Sequence, residues 1–318
     1  MHCDKEMELT ILTDPVGVLS NIKIVLKKLL GRQKKYGGHS AVTRSLVEGL
    51  EKIGYDRVNY QPRKERDIAE NVHVLANVST LKYAIKLKKK GIIKQLTAGP
   101  NIVVFSDEYD GIIADSCVDK FLQPSEWAAK AHEKYNEKLV GRCVAWPAGV
   151  DLQKIQLREK KRSKVLIYLK REGIHFCYRV DYLLRSYGYQ TTIITYGNYE
   201  LKDYLNELDE TKFMVVLGRQ ESQGLFLAEA WSKNVPTICF DPHYYKWEDY
   251  NREIAGDVST CPYLSQQTGV RFEELNELKN ILANYEEISK SFQPRKWVEE
   301  NMTDEVCAKK FLELLNIK

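Results

Sequence analysis

The 318-residue chain lacks several features, and each absence argues against one class of protein. No run approaches the roughly 18 apolar residues that a membrane-spanning helix needs. The start, MHCDKEMEL, is charged and has no apolar signal region, which predicts a protein that is not secreted. The seven cysteines are scattered, odd in number and without a C-x-x-C pair. This argues against a disulfide framework or a zinc site, and a cytoplasmic protein is expected.

Two common catalytic signatures are also absent. The six histidines show no H-E-x-x-H or other metal-binding spacing, so we expect chemistry that needs no metal or other cofactor. No G-x-S-x-G motif is present, which argues against a serine-triad hydrolase.

The net charge of +4 is unevenly distributed. Residues 1–150 carry 24 basic and 18 acidic side chains, whereas residues 151–318 carry 24 and 26. Two segments, 21–35 and 82–94, each hold six basic residues and no acidic one. These segments are either solvated faces or surfaces that attract an anionic membrane or a phosphate-bearing acceptor. Attraction to a membrane would place the protein at the inner membrane face. Segment 21–35 has no aromatic residue and segment 82–94 has only Tyr83, so neither interleaves the aromatic residues that a stacking platform would use, and nucleic acid is not expected.

Strand and helix patterns alternate along the chain, as in parallel α/β domains. We predict helices at 40–54, 125–139, 175–188 and 199–210 and a largely helical stretch over 272–315 with a break at Pro294. Strands are predicted at 8–13, 72–77, 101–106, 120–125, 143–149, 164–169, 190–197, 213–218 and 235–241. The segments GPN (99–101) and SDEYD (106–110) are interpreted as a strand connection that either lines the acceptor side or is an ordinary acidic turn.

The polar segment 150–163 lacks strong periodicity and is interpreted as a linker. It separates an N-terminal Rossmann-like domain (1–149) from a C-terminal one (164–318), whose last helix could pack back on the first domain. We expect two doubly wound domains facing a central cleft, with the ligand where the carboxyl ends of both sheets face each other.

A carboxylate interrupts an apolar helix in the second domain. The segment GLFLAEAWS (224–232) has no clear polar face and should be buried, yet it contains Glu229. A buried carboxylate needs partners, which are either a distant basic side chain or the hydroxyls of a ligand diol. A second carboxylate, Glu221, lies eight residues earlier at the carboxyl edge of the strand 213–218.

The residues between the two carboxylates suit an anionic or hydroxylated ligand. Ser222, Gln223 and Gly224 open the apolar helix, whose N-terminal N–H groups and positive dipole end favour phosphate or a sugar hydroxyl. Gly224 has no Cβ, so a ligand can approach the backbone closely.

The segment ESQGLFLAEAWSKNVPTICFD (221–241) resembles the E-x7-E region of retaining, nucleotide-sugar-dependent glycosyltransferases of the GT-B fold, family 4 in particular. Three further segments resemble elements of that family in the same order, and the likeness covers nearly the whole chain. They are the glycine pair of YGGHSAVTRSLVEGLEKIGYD (36–56), LQPSEWAAK (122–130) and VAWPAGVD (144–151).

The resemblance implies roles for particular residues. Glu229 would bind the ribose hydroxyls of the donor nucleotide, and Glu221 would face the hydroxyls of the transferred sugar. The backbone of Ser222, Gln223, Gly224 and Leu225 would line the sugar and phosphates. Gly37 and Gly38 would let the acceptor domain close over the diphosphate, or they form an ordinary helix-start turn. His39 would contact phosphate or sugar, or else cap the helix or lie at the surface.

One element departs from the family. Members usually carry an Arg and a Lys a few residues apart to neutralise the leaving diphosphate, whereas here Lys170 and Arg171 are adjacent. Adjacent side chains on an extended segment point in opposite directions, so only one of them is expected to reach the phosphates. Arg219 is a further candidate for this role.

The resemblance therefore implies a hexosyltransferase-type enzyme that moves a sugar from a nucleoside-diphosphate sugar to a hydroxyl acceptor, with retention of anomeric configuration. A glycan or glycolipid acceptor and a role in polysaccharide biosynthesis are implied at the same level. Domain closure about residues 149–163 would complete the site. Two alternatives stay open: a sugar-nucleotide epimerase of the same fold, and a non-catalytic homologue that binds nucleotide sugar.

Overall fold

The computed structural model describes residues 7–16, 38–158, 160–247 and 252–317. The chain divides into two compact units, Met1–Ala148 with Cys307–Lys318 (unit 1) and Gly149–Val306 (unit 2). The predicted linker, 150–163, falls within unit 2. Among the described residues, no helix combines the length and apolarity that crossing a bilayer requires.

Unit 1 contains a parallel six-stranded sheet in the order β2-β1-β3-β4-β5-β6. Its strands are β1 (Leu9–Leu12), β2 (Val58–Tyr60), β3 (Asn71–Ala76), β4 (Gln95–Asn101), β5 (Lys120–Gln123) and β6 (Cys143–Ala145). The central strands are buried on both faces, as is typical of a parallel sheet covered by helices.

Helices of unit 1 supply the apolar side chains that pack against this sheet. Leu81, Ala84 and Ile85 of the second helix join Val72, Val74 and Phe121 of the sheet in one core cluster. The helices are α1 (Gly38–Lys52), α2 (Val78–Lys89) and α3 (Glu126–Tyr135), and the last helix, α10 (Asp304–Leu314), belongs to unit 1 from Cys307 onward.

The predicted strand at 101–106 and the predicted turn at 99–101 are both wrong. The strand is Gln95–Asn101, paired with its neighbour so that Val74 faces Ala98. Gly99 lies inside the strand at φ +94°, and a Cβ there would be 2.2 Å from the Leu122 carbonyl oxygen. The glycine therefore permits a close backbone approach within the sheet, which is the physical reason that the turn interpretation fails.

Unit 2 contains a parallel five-stranded sheet in the order β13-β10-β9-β7-β8. Its strands are β7 (Lys164–Leu169), β8 (Gln190–Thr195), β9 (Thr211–Leu217), β10 (Thr237–Phe240) and β13 (Gly269–Phe272). The last of these is not among the predicted strands, because no element is predicted between residues 241 and 272 and the helical stretch is predicted to begin at Phe272. A short antiparallel hairpin, β11 (Tyr244–Trp247) with β12 (Arg252–Ala255), follows the fourth strand.

The helices of unit 2 are α4 (Ile174–Ser186), α5 (Leu201–Leu208), α6 (Leu225–Ser232), α7 (Leu275–Ala283), α8 (Tyr285–Ile288) and α9 (Pro294–Asn301). The predicted break at Pro294 is confirmed, since this residue opens α9. Helix α6 is buried from Phe226 to Ser232, as its apolar pattern predicts.

The strand order of unit 2 reverses at β7. The chain passes from β7 to β8 on one side and then to β9 on the other side of β7. In open parallel sheets the crevice at such a reversal, outside the carboxyl ends of the strands, is the usual ligand position. The order of strands therefore directs attention to the residues that follow β7 and β9.

Candidate active site

Lys170 and Glu221 form an ion pair at this reversal point. Lys170 directly follows β7, and Glu221 follows β9 by four residues. The Lys170 Nζ donates to Glu221 Oε2, and the two side chains are only 13% and 12% exposed. A charged pair is thus held, with little exposure to water, at the sheet edge where the topology places a ligand.

Aromatic rings surround the Lys170 ammonium group. Its Nζ lies 4.2 Å from the centre of the Tyr196 ring and 5.9 Å from that of Phe226. Tyr196 follows β8, so three adjacent strands contribute to this group of side chains. The negative ring face of Tyr196 stabilises the ammonium group in addition to the carboxylate of Glu221.

The other predicted basic residues have different neighbours. Arg171 has a left-handed backbone (φ 59°) rather than an extended one, and its guanidinium lies 6.0 Å from the Tyr245 ring centre. Arg219 Nε pairs with Glu172 Oε2 at 2.8 Å. Of these three basic residues, Lys170 is the one that the structure brings to Glu221 in a salt bridge.

Gly224 joins Glu221 to helix α6. It has φ +80° and ψ 61°, a left-handed conformation that glycine adopts without strain. A Cβ at this position would be 2.7 Å from Leu227 Cδ1 and 3.1 Å from Glu221 Cγ. The absence of a side chain therefore allows Glu221 to lie close to the start of the helix, with Gln223 buried and Ser222 exposed between them.

Glu229 is buried in α6, and its charge acts on the pKa of two tyrosines. The residue is only 7% exposed to solvent. Burial raises the pKa of Tyr199 to about 12, and the negative charge of Glu229 acts in the same direction on this pKa. Burial also raises the pKa of Tyr204 well above its usual range, again with a contribution from Glu229. Both phenols therefore stay protonated and polar beside the carboxylate.

The tyrosines form a connected aromatic group with Phe226 of helix α6. Tyr168 stacks on Phe226 with ring centres 4.1 Å apart and planes 5° apart. The hydroxyl groups of Tyr168 and Tyr199 are 2.7 Å apart, and the Tyr204 hydroxyl donates to the Phe226 carbonyl oxygen at 2.7 Å. These residues were not predicted as part of the site, although tyrosines that follow or lie within β7 and β8 are visible in the sequence.

The predicted residues of unit 1 are described only in part. Gly37 lies outside the described residues, and so does the basic segment 21–35. Gly38 and His39 form the start of helix α1, but their side-chain environment lies outside the described part of the chain. Their roles toward a ligand stay predictions.

Comparison with solved structures gives full-length matches. The chain matches the apo form of the lipopolysaccharide outer core galactosyltransferase WaaB, with a TM-score of 0.55 and 11% identity, covering 98% of this chain and 99% of that one. It matches sucrose-phosphate synthase from Thermosynechococcus elongatus with a TM-score of 0.58 and 13% identity, covering 98% of both chains. It matches HepE of Anabaena in complex with UDP and glucose with a TM-score of 0.55 and 7% identity, covering 98% and 100%.

No family model matches the chain, and no curated protein matches its sequence. The structural matches nevertheless extend over both units. The chain thus has two parallel-sheet Rossmann-like domains that match glycosyltransferases of the GT-B fold.

Proposed function

We propose that the protein is a glycosyltransferase that moves a sugar from a nucleoside-diphosphate sugar to a hydroxyl acceptor with retention of anomeric configuration. The observation that carries the proposal is the ion pair between Lys170 and Glu221 at the strand-order reversal of unit 2. A cation and a carboxylate at this edge supply the two groups that a nucleotide sugar requires, one for phosphate oxygens and one for sugar hydroxyls.

Lys170 would stabilise the negative charge that develops on the leaving diphosphate. Its ammonium group is a compact point charge with three donors, a form that suits phosphate oxygens. The Lys170 side chain has little contact with water. In such an environment a positive charge stabilises developing negative charge more strongly than it does in bulk solvent. A resident metal ion is then not required for charge neutralisation, and we expect turnover to persist in EDTA.

Glu221 and Glu229 would bind the sugar and the ribose, respectively. Glu221 lies beside Lys170 at the carboxyl edge of the sheet, whereas Glu229 is buried in helix α6, where its charge contributes to the raised pKa of Tyr199 and Tyr204. In the retaining reaction the acceptor attacks from the face that the nucleotide leaves, and the departing phosphate accepts the acceptor proton. No protein base is needed in this scheme.

Matched structures support a nucleotide-sugar donor. HepE was solved with UDP and glucose, and the starch synthase IV catalytic domain, with a TM-score of 0.50, was solved with ADP and acarbose. By analogy we propose a hexose donor, with a glycan or glycolipid as acceptor and a part in polysaccharide biosynthesis.

A thermal-shift screen with UDP, GDP and ADP and their glucose and mannose esters tests the donor. A nucleotide that binds only the folded chain raises the melting temperature. Nucleotide release should follow with the same donor, and NMR of the product should show the anomeric configuration of the donor.

Three results would contradict the proposal in different ways. Conversion of the nucleotide sugar to its epimer without any acceptor would identify an epimerase. Binding without release of nucleotide for any acceptor would identify a non-catalytic binding protein. No shift with any nucleotide would overturn the site assignment itself.

A further inference from the structure

A third carboxylate, Asp241, lies at the carboxyl edge of the unit 2 sheet, directly after β10. It is fully buried. Its Oδ2 accepts a hydrogen bond from Ser259 Oγ at 2.8 Å, and its Oδ1 accepts one from the Thr260 backbone N–H at 2.8 Å. A buried carboxylate with these two bonds fixes the position of the chain segment that donates them.

Arg271 and His243 also face Asp241, as does the Cys261 thiol, whose Sγ is 3.8 Å from Oδ2. Arg271 Nη1 is 3.6 Å from Oδ2, and His243 Nε2 is 3.9 Å from the same atom. His243 also reaches the segment itself, with Nδ1 3.0 Å from the Val258 carbonyl oxygen. The loop of residues 258–261 is thus tied to Asp241 from several directions.

The loop 258–261 is hydrogen-bonded to the backbone of Glu221. The Glu221 backbone N–H donates to the Ser259 carbonyl oxygen at 2.8 Å. Ser259 is itself braced, because its Oγ accepts from the Cys261 N–H at 3.0 Å while donating to Asp241. The main chain of Glu221 therefore depends on a residue whose side chain is fixed by Asp241.

The loop also packs on the strand end beside Lys170. A Cβ placed on Gly218 would be 2.9 Å from Thr260 Cγ2 and 3.2 Å from the Lys170 carbonyl oxygen. Glycine at 218 thus lets the loop lie directly against β9 at the point where the Lys170 backbone passes. The loop that Asp241 anchors is therefore bonded to the Glu221 backbone and packs against Gly218, which lies next to the Lys170 carbonyl oxygen.

We infer that Asp241 and Ser259 are positioning residues for Glu221. Asp241 fixes Ser259, and the Ser259 carbonyl oxygen fixes the backbone from which the Glu221 carboxylate reaches Lys170. The inference deepens the proposed function and rests on it, since Glu221 is there assigned to the transferred sugar. This link is not visible in the sequence, because Ser259 lies outside the segment 221–241 and only the fold brings it to Glu221 and Asp241.

The test measures nucleotide release with the donor found by the thermal-shift screen, for Ser259→Ala in the full chain. This change leaves the backbone carbonyl oxygen in place but removes the hydroxyl that binds Asp241. We expect kcat to fall by about tenfold or more, as for a misplaced reacting group, with the Kd for free nucleoside diphosphate within roughly twofold of wild type. The matched control is Ser232→Ala at the last residue of helix α6, another buried serine, whose Oγ donates to the Ala228 carbonyl oxygen; its kcat should stay at the wild-type value.

A double-mutant cycle separates positioning from a general structural effect. In a Glu221→Ala background, Ser259→Ala should change kcat by less than roughly twofold, because both changes affect the same interaction. As a second arm, Asp241→Asn, which keeps an acceptor for the Thr260 N–H, should retain more activity than Asp241→Ala.

Equal losses in kcat for Ser259→Ala and Ser232→Ala, or full additivity with Glu221→Ala, would overturn the inference while leaving the proposed function intact. A wild-type protein that binds no nucleotide would overturn the proposed function first, before any variant is compared.

Discussion

The Lys170 ammonium group donates to the Glu221 carboxylate, although the two residues are separated by 51 positions in the chain. The pair exists because β7 and β9 are adjacent in the sheet and their carboxyl ends meet. Within this pair each charged group neutralises the other. A nucleotide sugar would offer phosphate to the one and hydroxyls to the other, so binding would exchange this ion pair for two ligand contacts.

Removing the cation alone should cost stability as well as activity. Lys170→Met leaves the largely buried Glu221 carboxylate without its ammonium partner, which should lower the free energy of unfolding by about 1–3 kcal/mol. Lys170→Met/Glu221→Gln should recover most of that loss, since the carboxylate charge is then removed together with its ammonium partner. Nucleotide release should fall by about 10²-fold or more in both variants, because neither carries the cation.

Urea unfolding measures the change in stability, and the release assay measures the change in activity. A double variant that also regains activity would show that the pair is only structural.

The two glutamates should affect binding and turnover differently. Glu229→Ala should raise the Kd for the nucleoside diphosphate by about tenfold to a hundredfold, the loss expected for hydrogen bonds to a charged group. Glu221→Ala should lower kcat with a smaller change in Kd. Titration calorimetry and the release assay check this, with Glu286→Gln, an exposed carboxylate paired to Lys212, as the control. Equal effects of both variants on Kd would contradict the assigned roles.

Substitution of Gly224 by alanine should lower activity for a steric reason that does not apply to Gly188, another glycine of unit 2. Gly224→Ala puts a Cβ 2.7 Å from Leu227 and 3.1 Å from Glu221, whereas Gly188→Ala meets no atom within 4 Å. Their φ angles, +80° and +84°, are nearly the same, so the backbone cost of about 1–2 kcal/mol is matched. We expect both variants to lower the melting temperature and only Gly224→Ala to lower kcat in addition. Full activity of Gly224→Ala at a temperature where it is folded would argue against the close approach at the site.

His73 should make stability dependent on pH. It is fully buried in β3, with Nδ1 2.9 Å from Thr97 Oγ1, and burial lowers the pKa of its imidazole from 6.5 to about 3. Between these pH values the unfolded chain binds a proton that the folded chain does not. The free energy of unfolding therefore falls as pH falls below about 6.5, with a slope of up to about 1.4 kcal/mol per pH unit from this group.

Chemical denaturation of wild type and His73→Gln between pH 6.5 and 4 tests this contribution. The variant should show a smaller slope, while His175→Gln, at an exposed position of α4, should keep the wild-type slope. Identical slopes for wild type and His73→Gln would show that the imidazole is protonated in the folded chain.

The basic segment 82–94 is predicted to bind anionic membranes. Lys88 and Lys89 pair with Asp119 and Asp115, and Lys94 pairs with Glu70 at 2.7 Å. Lys86 and Lys90 are exposed, and in the described part of the chain no ion pair involves them. If the segment attracts an anionic surface, Lys86→Glu/Lys90→Glu should reduce sedimentation with phosphatidylserine vesicles. Lys134→Glu/Lys138→Glu changes net charge equally and should reduce it less. Equal reductions would indicate only a general charge effect.

Helix α6 could be predicted from the sequence because the residues that specify it are neighbours in the chain. The apolar run of α6, its glycine start and the two glutamates eight residues apart are all contained in one short segment. The same holds for most strands and for the break at Pro294. The strand at 101–106 could not be predicted correctly, because Gly99 and Pro100 resemble a turn until the neighbouring strand, and the close approach of Leu122, are known.

The sequence by itself determined the α/β class, the burial of α6 and the identity of Glu221 and Glu229 as candidate ligands, because periodicity and spacing record which side chains share an element. Only the tertiary structure decided that Lys170 rather than Arg171 pairs with Glu221, that the charge of Glu229 acts on Tyr199 and Tyr204, and that Asp241 anchors the loop bonded to the Glu221 backbone. These relationships join residues on different strands, and the order of strands in a parallel sheet is fixed by packing across the whole unit rather than by any local pattern.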